Sequence, residues 1–193
     1  MHHLAAKAVA GALVVGAGTG AMTKIDSSNG DIPRDVLNPM VAGQAMLTNA
    51  SIYDNAAKSP EHSGFVAAAN ATGVADALKG GRAYTVFAPT DAAYAALPPD
   101  AIADARRDAR YLVVRGKFDS QTLLGLINAK GGEAKLKTLD GRTLIAMLNG
   151  PTNIALVDER GRVADIAIYD IYQKNGVMQV IDAVPLPAKP AHS

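Results

Sequence analysis

Residues 84–97, YTVFAPTDAAYAAL, run an apolar strand-like segment straight onto a helix-start signal, and this junction decides the fold. Tyr84, Val86 and Ala88 alternate with Thr85 and Phe87, which predicts a strand with one face better buried than the other. Pro89 has no amide to give to a ladder and ends it. Thr90 offers a hydroxyl oxygen to an orphan amide two or three residues on, and Asp91 sets a negative charge on the positive end of the helix dipole. A helix is therefore expected from residue 91, with Tyr94 and Leu97 on one face and Pro98-Pro99 closing it.

Upstream of this junction, residues 41–55 and 63–79 place apolar side chains at helical spacing, the second set ending at Gly80-Gly81. Downstream, the spacing predicts a helix over 100–110, a strand over 111–115 and a helix over 120–129 stopped by Gly131-Gly132. Strands then dominate. Asp140-Gly141, between KLKTL and RTLIAML, predicts a two-residue hairpin in which both turn positions take positive φ. Asn149-Gly150-Pro151 and Glu159-Arg160-Gly161 mark further reversals, giving strands near 153–158, 162–168 and 177–182. Helices in front and strands behind, without βαβ alternation, predict an α+β fold with mixed or antiparallel pairing.

Three ordered blocks give the chain a family likeness. TVFAPTD at 85–91, followed by an aromatic at Tyr94, resembles the first signature of the fasciclin domain, carried here by Thr85, Phe87, Pro89, Thr90 and Asp91. YLVVRGKFDSQTLL at 111–124 is similar to the family's Tyr-His segment with its Gly-Lys and helix, and NGVMQVIDAVPLP at 175–187 to its closing signature, with Asn175, Gly176, Ile181 and Asp182. Val41 to Leu78 shares the family look, so the resemblance covers roughly residues 38–188. It implies a wedge-shaped β structure with helices packed along it.

Composition is consistent with one domain: 193 residues with 49% hydrophobic content leave ample surface to bury. The 19 basic and 18 acidic residues are interspersed, which predicts neither a stripe along a nucleic acid nor a polybasic membrane anchor. Without cysteine the chain has no disulfide, thiolate nucleophile or thiolate metal site. At the N-terminus a short polar start with Lys7 precedes an Ala/Gly/Val run from Ala8 to Ala21, the layout of a secretory signal over 1–21, too short to span a bilayer. A linker over 22–37, a domain over 38–188 and a tail over 189–193 follow. Gly16-x-Gly18-x-x-Ala21 also fits a dinucleotide-binding loop, but Ser27, Ser28, Gly30 and Pro33 interrupt the helix that such a loop must open.

No catalytic constellation emerges. His2 and His3 fall in the signal segment, His192 is penultimate and His62 follows Pro60-Glu61 in a predicted loop, so no pair has metal-ligand spacing. No serine stands in a Gly-x-Ser-x-Gly elbow. Asp158, Glu159, Asp165 and Asp170 alternate with apolar residues and read as a solvated face and turns. Neither catalytic residue nor metal nor cofactor is expected.

The family likeness points to binding instead. Asp170-Ile171 occupies the place where adhesive fasciclin domains present an Asp-Ile motif to integrins; the plainer alternative is a turn aspartate beside a core isoleucine. The Tyr-His motif survives as Tyr111-Leu112, and Gln179 stands where the closing signature usually has histidine, departures that go together if the two positions face each other. Asn49-Ala50-Ser51 and Asn70-Ala71-Thr72 fit the glycosylation pattern but fall in predicted helices. The expectation is a monomeric protein, secreted to the periplasm or outside the cell, with no transmembrane segment, that binds a cell-surface or matrix protein or glycan. The alternative implied by the resemblance is a carrier of an apolar small ligand, a carotenoid or lipid, in a cleft beside the first signature.

Overall fold

The computed structural model describes residues 39–189. The expected signal over 1–21, the linker over 22–37, the dinucleotide-like glycines and all but the first residue of the 189–193 tail lie outside the described residues.

Two short strands, β1 (Met40–Val41) and β2 (Gln44–Ala45), form a hairpin. Helices α1 (Ile52–Lys58), α2 (Ser63–Ala71) and α3 (Val74–Lys79) lead to β3 (Tyr84–Pro89). Then come α4 (Asp91–Ala95), α5 (Pro99–Arg107), a 3₁₀ turn (Ala109–Leu112), β4 (Val113–Arg115) and α6 (Ser120–Ala129). The remainder is β5 (Glu133–Lys137), β6 (Thr143–Leu148), β7 (Ile154–Val157), β8 (Val163–Gln173) and β9 (Gly176–Ile181).

The seven-stranded sheet runs β4-β3-β9-β8-β7-β6-β5. All its pairs are antiparallel except β3 with β9, which run parallel from Tyr84 opposite Gly176 to Pro89 opposite Ile181. β8 spans the sheet's bend through register shifts between Ile166 and Ile171, with Asp170 at φ +59. The sheet curls until its edge strands touch at one bridge, Val114 with Thr138.

Two apolar clusters divide at β3 and β9. On one side Phe87, Ile181, Leu123 and Ile127 pack with the inward residues of β5 to β8. On the other Val86, Ala88, Met178 and Val180 meet Ile52, Phe65, Leu78 and Leu112 of the helical layer. Both strands are therefore buried at every position, which corrects the expectation of a one-sided β3.

Several boundaries differ from the sequence reading for local reasons. The apolar spacing from residue 41 predicted helix, but Ala42 (φ 49) and Gly43 (φ 78) make a primed two-residue turn, so β1 and β2 form and helix begins only at the Ser51 cap. Asn49-Ala50-Ser51 thus precedes α1, while Asn70-Ala71 ends α2. The 63–79 segment breaks at Gly73, whose φ of 70 ends one helix and starts the next. The strand expected at 111–115 is half 3₁₀ turn. At Asp140-Gly141 only Gly141 has positive φ. The Thr138 amide donates to Arg142 O (3.0 Å) and the Gly141 amide to Thr138 O (3.0 Å), which makes a three-residue loop rather than the expected two-residue turn. Asp158 to Arg162 repeats that pattern around Gly161.

Candidate functional site

Helix ends leave amides and carbonyls without partners, and the signature side chains satisfy them across the chain. Thr90 caps its own helix α4, its Oγ1 accepting from the Ala93 amide at 3.2 Å. Asp91, expected only to complement the dipole of α4, also reaches α2. Its Oδ1 accepts from the Gly64 amide (2.7 Å) and its Oδ2 from the Ser63 amide (3.2 Å) and hydroxyl (2.6 Å). The residue in the N-cap position of α2, His62, makes no such bond. Burial alone would raise the Asp91 carboxyl, but these hydrogen bonds and nearby His62 hold it below the ordinary carboxylate value.

Asn175 ties two further ends: its Oδ1 accepts from Ile52 N of α1 (2.9 Å), and its Nδ2 donates to Leu78 O in the last turn of α3 (2.6 Å) and to Gly80 O just after it (2.9 Å). The next residue can only be glycine, since a Cβ on Gly176 (φ 155) would stand 1.9 Å from Tyr84 O. Thr85 Oγ1 donates to Gly116 O and accepts from Phe118 N, both at 2.8 Å. Asp182 accepts from Asp165 N at 2.8 Å. Phe87 and Ile181 are core.

The Asp-Ile pair lies on strand β8, not in a turn. Ile171 is fully buried, and so is Tyr111, whose hydroxyl donates to Thr143 O (2.8 Å) and accepts from Glu159 N (3.2 Å). Neither side chain reaches the surface that a partner would touch, which corrects their expected role as contacts. Asp170 is half-buried at the start of α6: its Oδ1 accepts from the Ser120 amide (2.7 Å) and from Gln179 Nε2 (2.9 Å), and its Oδ2 accepts from the Ser120 hydroxyl. Its own amide donates to Gln179 Oε1 at 2.9 Å. Gln179 points to the face opposite Met178 and Val180, whereas Leu112 packs with those two, so the two departures from the family pattern do not face each other.

Around Asp170 lies the exposed part of this site. Tyr172 is 47% exposed and donates to Asp119 Oδ2 at 3.1 Å, while Leu124 on α6 is 38% exposed. Burial, the Asp119 hydrogen bond and the charges of Asp170 and Asp119 raise the Tyr172 phenol. Thr122 hydrogen bonds hold Asp119 low as it caps α6. A hollow of about 250 Å³ between Ser120, Leu124 and Tyr169 adjoins them. Hydrogen-bond acceptors, a phenol and an apolar rim suit contact rather than bond-making. Asp119-x-x-Thr122 is a legible cap; Ser120, Leu124 and Tyr172 carry no sequence signal because α6 meets β8 only through the fold.

Beside the first signature, a hollow of about 310 Å³ is lined by Asp91, Tyr94, Ile102 and Arg106. Its two charged groups set it apart from the apolar cleft that a carrier would show there. His62, expected in a loop, is fully buried, with Nδ1 2.7 Å from Ser59 Oγ. Its Nε2 and the Tyr94 hydroxyl have no hydrogen-bond partner among the described residues. Burial lowers the His62 pKa, partly opposed by Asp91, and raises the Tyr94 phenol. Among the described residues no cluster of His, Asp or Glu is placed to hold a metal ion, and no helix is long and apolar enough to cross a membrane.

Comparison with known proteins places these features in a family. The fasciclin domain model matches residues 60–187. A protein of Synechocystis sp., the uncharacterized sll1735, is 31% identical over 143 residues, 70% of this chain and 97% of that protein. Another from the same organism, sll1483, is 31% identical over 159 residues, 76% of this chain and 79% of its own length. Among solved structures, a FAS1 domain pair from the insect cell adhesion molecule fasciclin I superposes with a TM-score of 0.59 at 13% identity. The overlap covers 72% of this chain and 51% of the solved chain, so this chain spans about half of that pair.

Proposed function

The chain belongs to the fasciclin domain family, whose members are adhesion and binding domains, and on that footing we propose that it is a secreted binding protein. Its role is attachment to a cell surface or extracellular matrix, through a protein or glycan partner and without catalysis. The observation that carries this reading is the family match over the whole β3-to-β9 body, supported by the likeness in fold to domains of a cell adhesion molecule. The contact face centres on Asp170, with Tyr172 and Leu124 as its exposed neighbours. A tyrosine with an apolar body and a polar tip is the kind of residue that anchors interfaces, where truncation costs about 2 kcal/mol or more.

Attachment of cells from the native source to surfaces coated with the protein tests this. Tyr172→Ala and Leu124→Ala should each weaken attachment while the unfolding midpoint holds. Undiminished attachment with both changes together would remove this face from the reading. Export is tested separately by N-terminal sequencing of protein from the native cell, which should begin near Met22; intact Met1 in the cytoplasmic fraction would refute secretion.

A further inference from the structure

The edges of the curled sheet meet only where Val114 bridges Thr138 and the Leu139 amide donates to Val113 O at 2.8 Å. An antiparallel bridge at Val114 and Thr138 that has the Leu139 amide on Val113 O has the Arg115 amide on Lys137 O as its other bond, so the strands part beyond Arg115 and Lys137, where Gly116 and Leu136 do not pair. Instead a hollow of about 370 Å³ opens between Arg115, Phe118 and Lys137. Farther along β5, a second of about 480 Å³ lies between Leu126, Lys130 and Lys135.

Both strands turn hydrogen-bonding groups toward this split. The Thr138 amide donates to Arg142, so by antiparallel alternation the Leu136 backbone bonds β6 while the Lys135 and Lys137 backbones face outward. On β4 the Gly116 amide donates to Ala83 O, so by the same alternation the Arg115 backbone faces β5, and its carbonyl, the Lys137 amide and the Lys135 backbone border the opening.

Charge is gathered here although it is interspersed in the sequence. Arg115, Lys117, Lys130, Lys135 and Lys137 are all exposed, and none makes an ion pair among the described residues, whereas Arg142, Arg160 and Arg162 are each paired. Only Asp119 and Glu133 are acidic between residues 113 and 137, and Asp119 is engaged at the cap of α6. Lysines on an edge strand are an ordinary defence against unwanted pairing. A basic edge repels a basic strand and favours an acidic one.

We propose that the split between β4 and β5 binds an extended acidic peptide, which joins the sheet as an added strand along β5. The pleat of β5 prescribes its pattern. Glu133, Lys135 and Lys137 point to solvent and Ala134 and Leu136 to the core, so an added strand must alternate likewise. Its acidic residue opposite Lys135 has Lys137 as a diagonal neighbour. Its intervening apolar residues turn inward toward Phe118 and Leu126, both only partly buried. Main-chain bonds supply affinity and the alternating side chains specificity. This groove does not depend on the reading of the Asp170 face.

Fluorescence anisotropy of the full chain tests it with a labelled, end-blocked peptide alternating Glu and Val. Two further versions carry backbone N-methyl groups at every second residue, one in each alternating register, preserving charge while removing edge donors. Saturable binding is expected that weakens at least about tenfold with the double variant K135E/K137E and with one of the methylated peptides. Lys58→Glu on α1, the same charge change away from the groove, should leave binding unaltered, and an unchanged unfolding midpoint certifies each variant. If both methylated peptides bind as tightly as the parent, or only a sulfated polysaccharide binds, the site is a plain polyanion patch and strand addition is wrong. Absence of binding by the parent peptide overturns the proposal outright.

Discussion

The Asp91 carboxylate caps a helix that begins 28 residues before it, holding the Gly64 amide at 2.7 Å and the Ser63 amide at 3.2 Å. One residue thus stands in the first turn of α4 and closes the start of α2, fixing the two helices against each other.

Loss of that cap should be visible in stability. Asp91→Ala is expected to cost about 2 kcal/mol, the upper end for a cap, because both amides lose their acceptor. The pH dependence has a definite sign. A carboxyl held below its unfolded value contributes stability above that value and loses it as pH falls through the folded one. Urea midpoints taken from pH 7 down to 2.5 should show an acid limb that flattens in Asp91→Asn; an unchanged limb would show that Asp91 is not its source.

Asn175 is the stronger test of cross-chain capping, being 3% exposed with three backbone partners. Asn175→Ala should cost about 3 kcal/mol, since one amide and two carbonyls lose their partner. Asn175→Asp keeps the acceptor for Ile52 but sets a carboxylate against Leu78 O and Gly80 O, so it too should destabilise. A wild-type midpoint for Asn175→Asp would mean that the carbonyl bonds are dispensable.

His62 predicts a second, higher pH window. Burial lowers its pKa below the unfolded value of 6.5, so on acidification the unfolded chain takes up a proton before the native one does. Stability should therefore fall as pH drops through 6.5 toward the lowered folded value, and be indifferent to this group above 6.5. In thermal melts between pH 8 and 5, His62→Gln should remove that slope. A slope that persists assigns the effect elsewhere.

Much of the fold was legible because its signals are local. Ser120–Ala129 is bounded by the Asp119 cap and the glycines after it, and it appears as read. The strand-to-helix junction at Pro89-Thr90 likewise needs only neighbours. Misreadings arose where burial or turn geometry depends on distant chain. β3 looked one-sided until β9 and the helical layer covered both faces, and Ala42 takes a left-handed conformation that its residue type disfavours. At the candidate site the sequence supplied Asp170 but not what it holds, since Ser120 lies 50 residues away.

Within the junction, core and cap should separate in magnitude. Phe87 is fully buried, so Phe87→Ala should cost about 3 to 5 kcal/mol, against about 1 for Thr90→Ala, which removes one bond to the Ala93 amide. Equal costs in denaturant melts would mean that the Phe87 cavity collapses.

Asp170 reverses its sequence-based expectation. An exposed turn aspartate would change stability by less than about 0.5 kcal/mol on truncation. In the structure its carboxylate holds the Ser120 amide and hydroxyl together with Gln179 Nε2, so Asp170→Ala should cost about 2 kcal/mol through the acceptor lost by the first turn of α6 and one buried Gln179 N–H left without its carboxylate. Two variants resolve the sources. Asp170→Asn keeps an oxygen for the Ser120 amide and should cost less than the alanine change. Asp170→Gly also loses the carboxylate but relieves the backbone at φ +59, so it should be less damaging than alanine. The order Asn, Gly, Ala in either arrangement of the first two supports a structural aspartate. Alanine as stable as the parent would restore the free turn residue and return the carboxylate to the adhesive face.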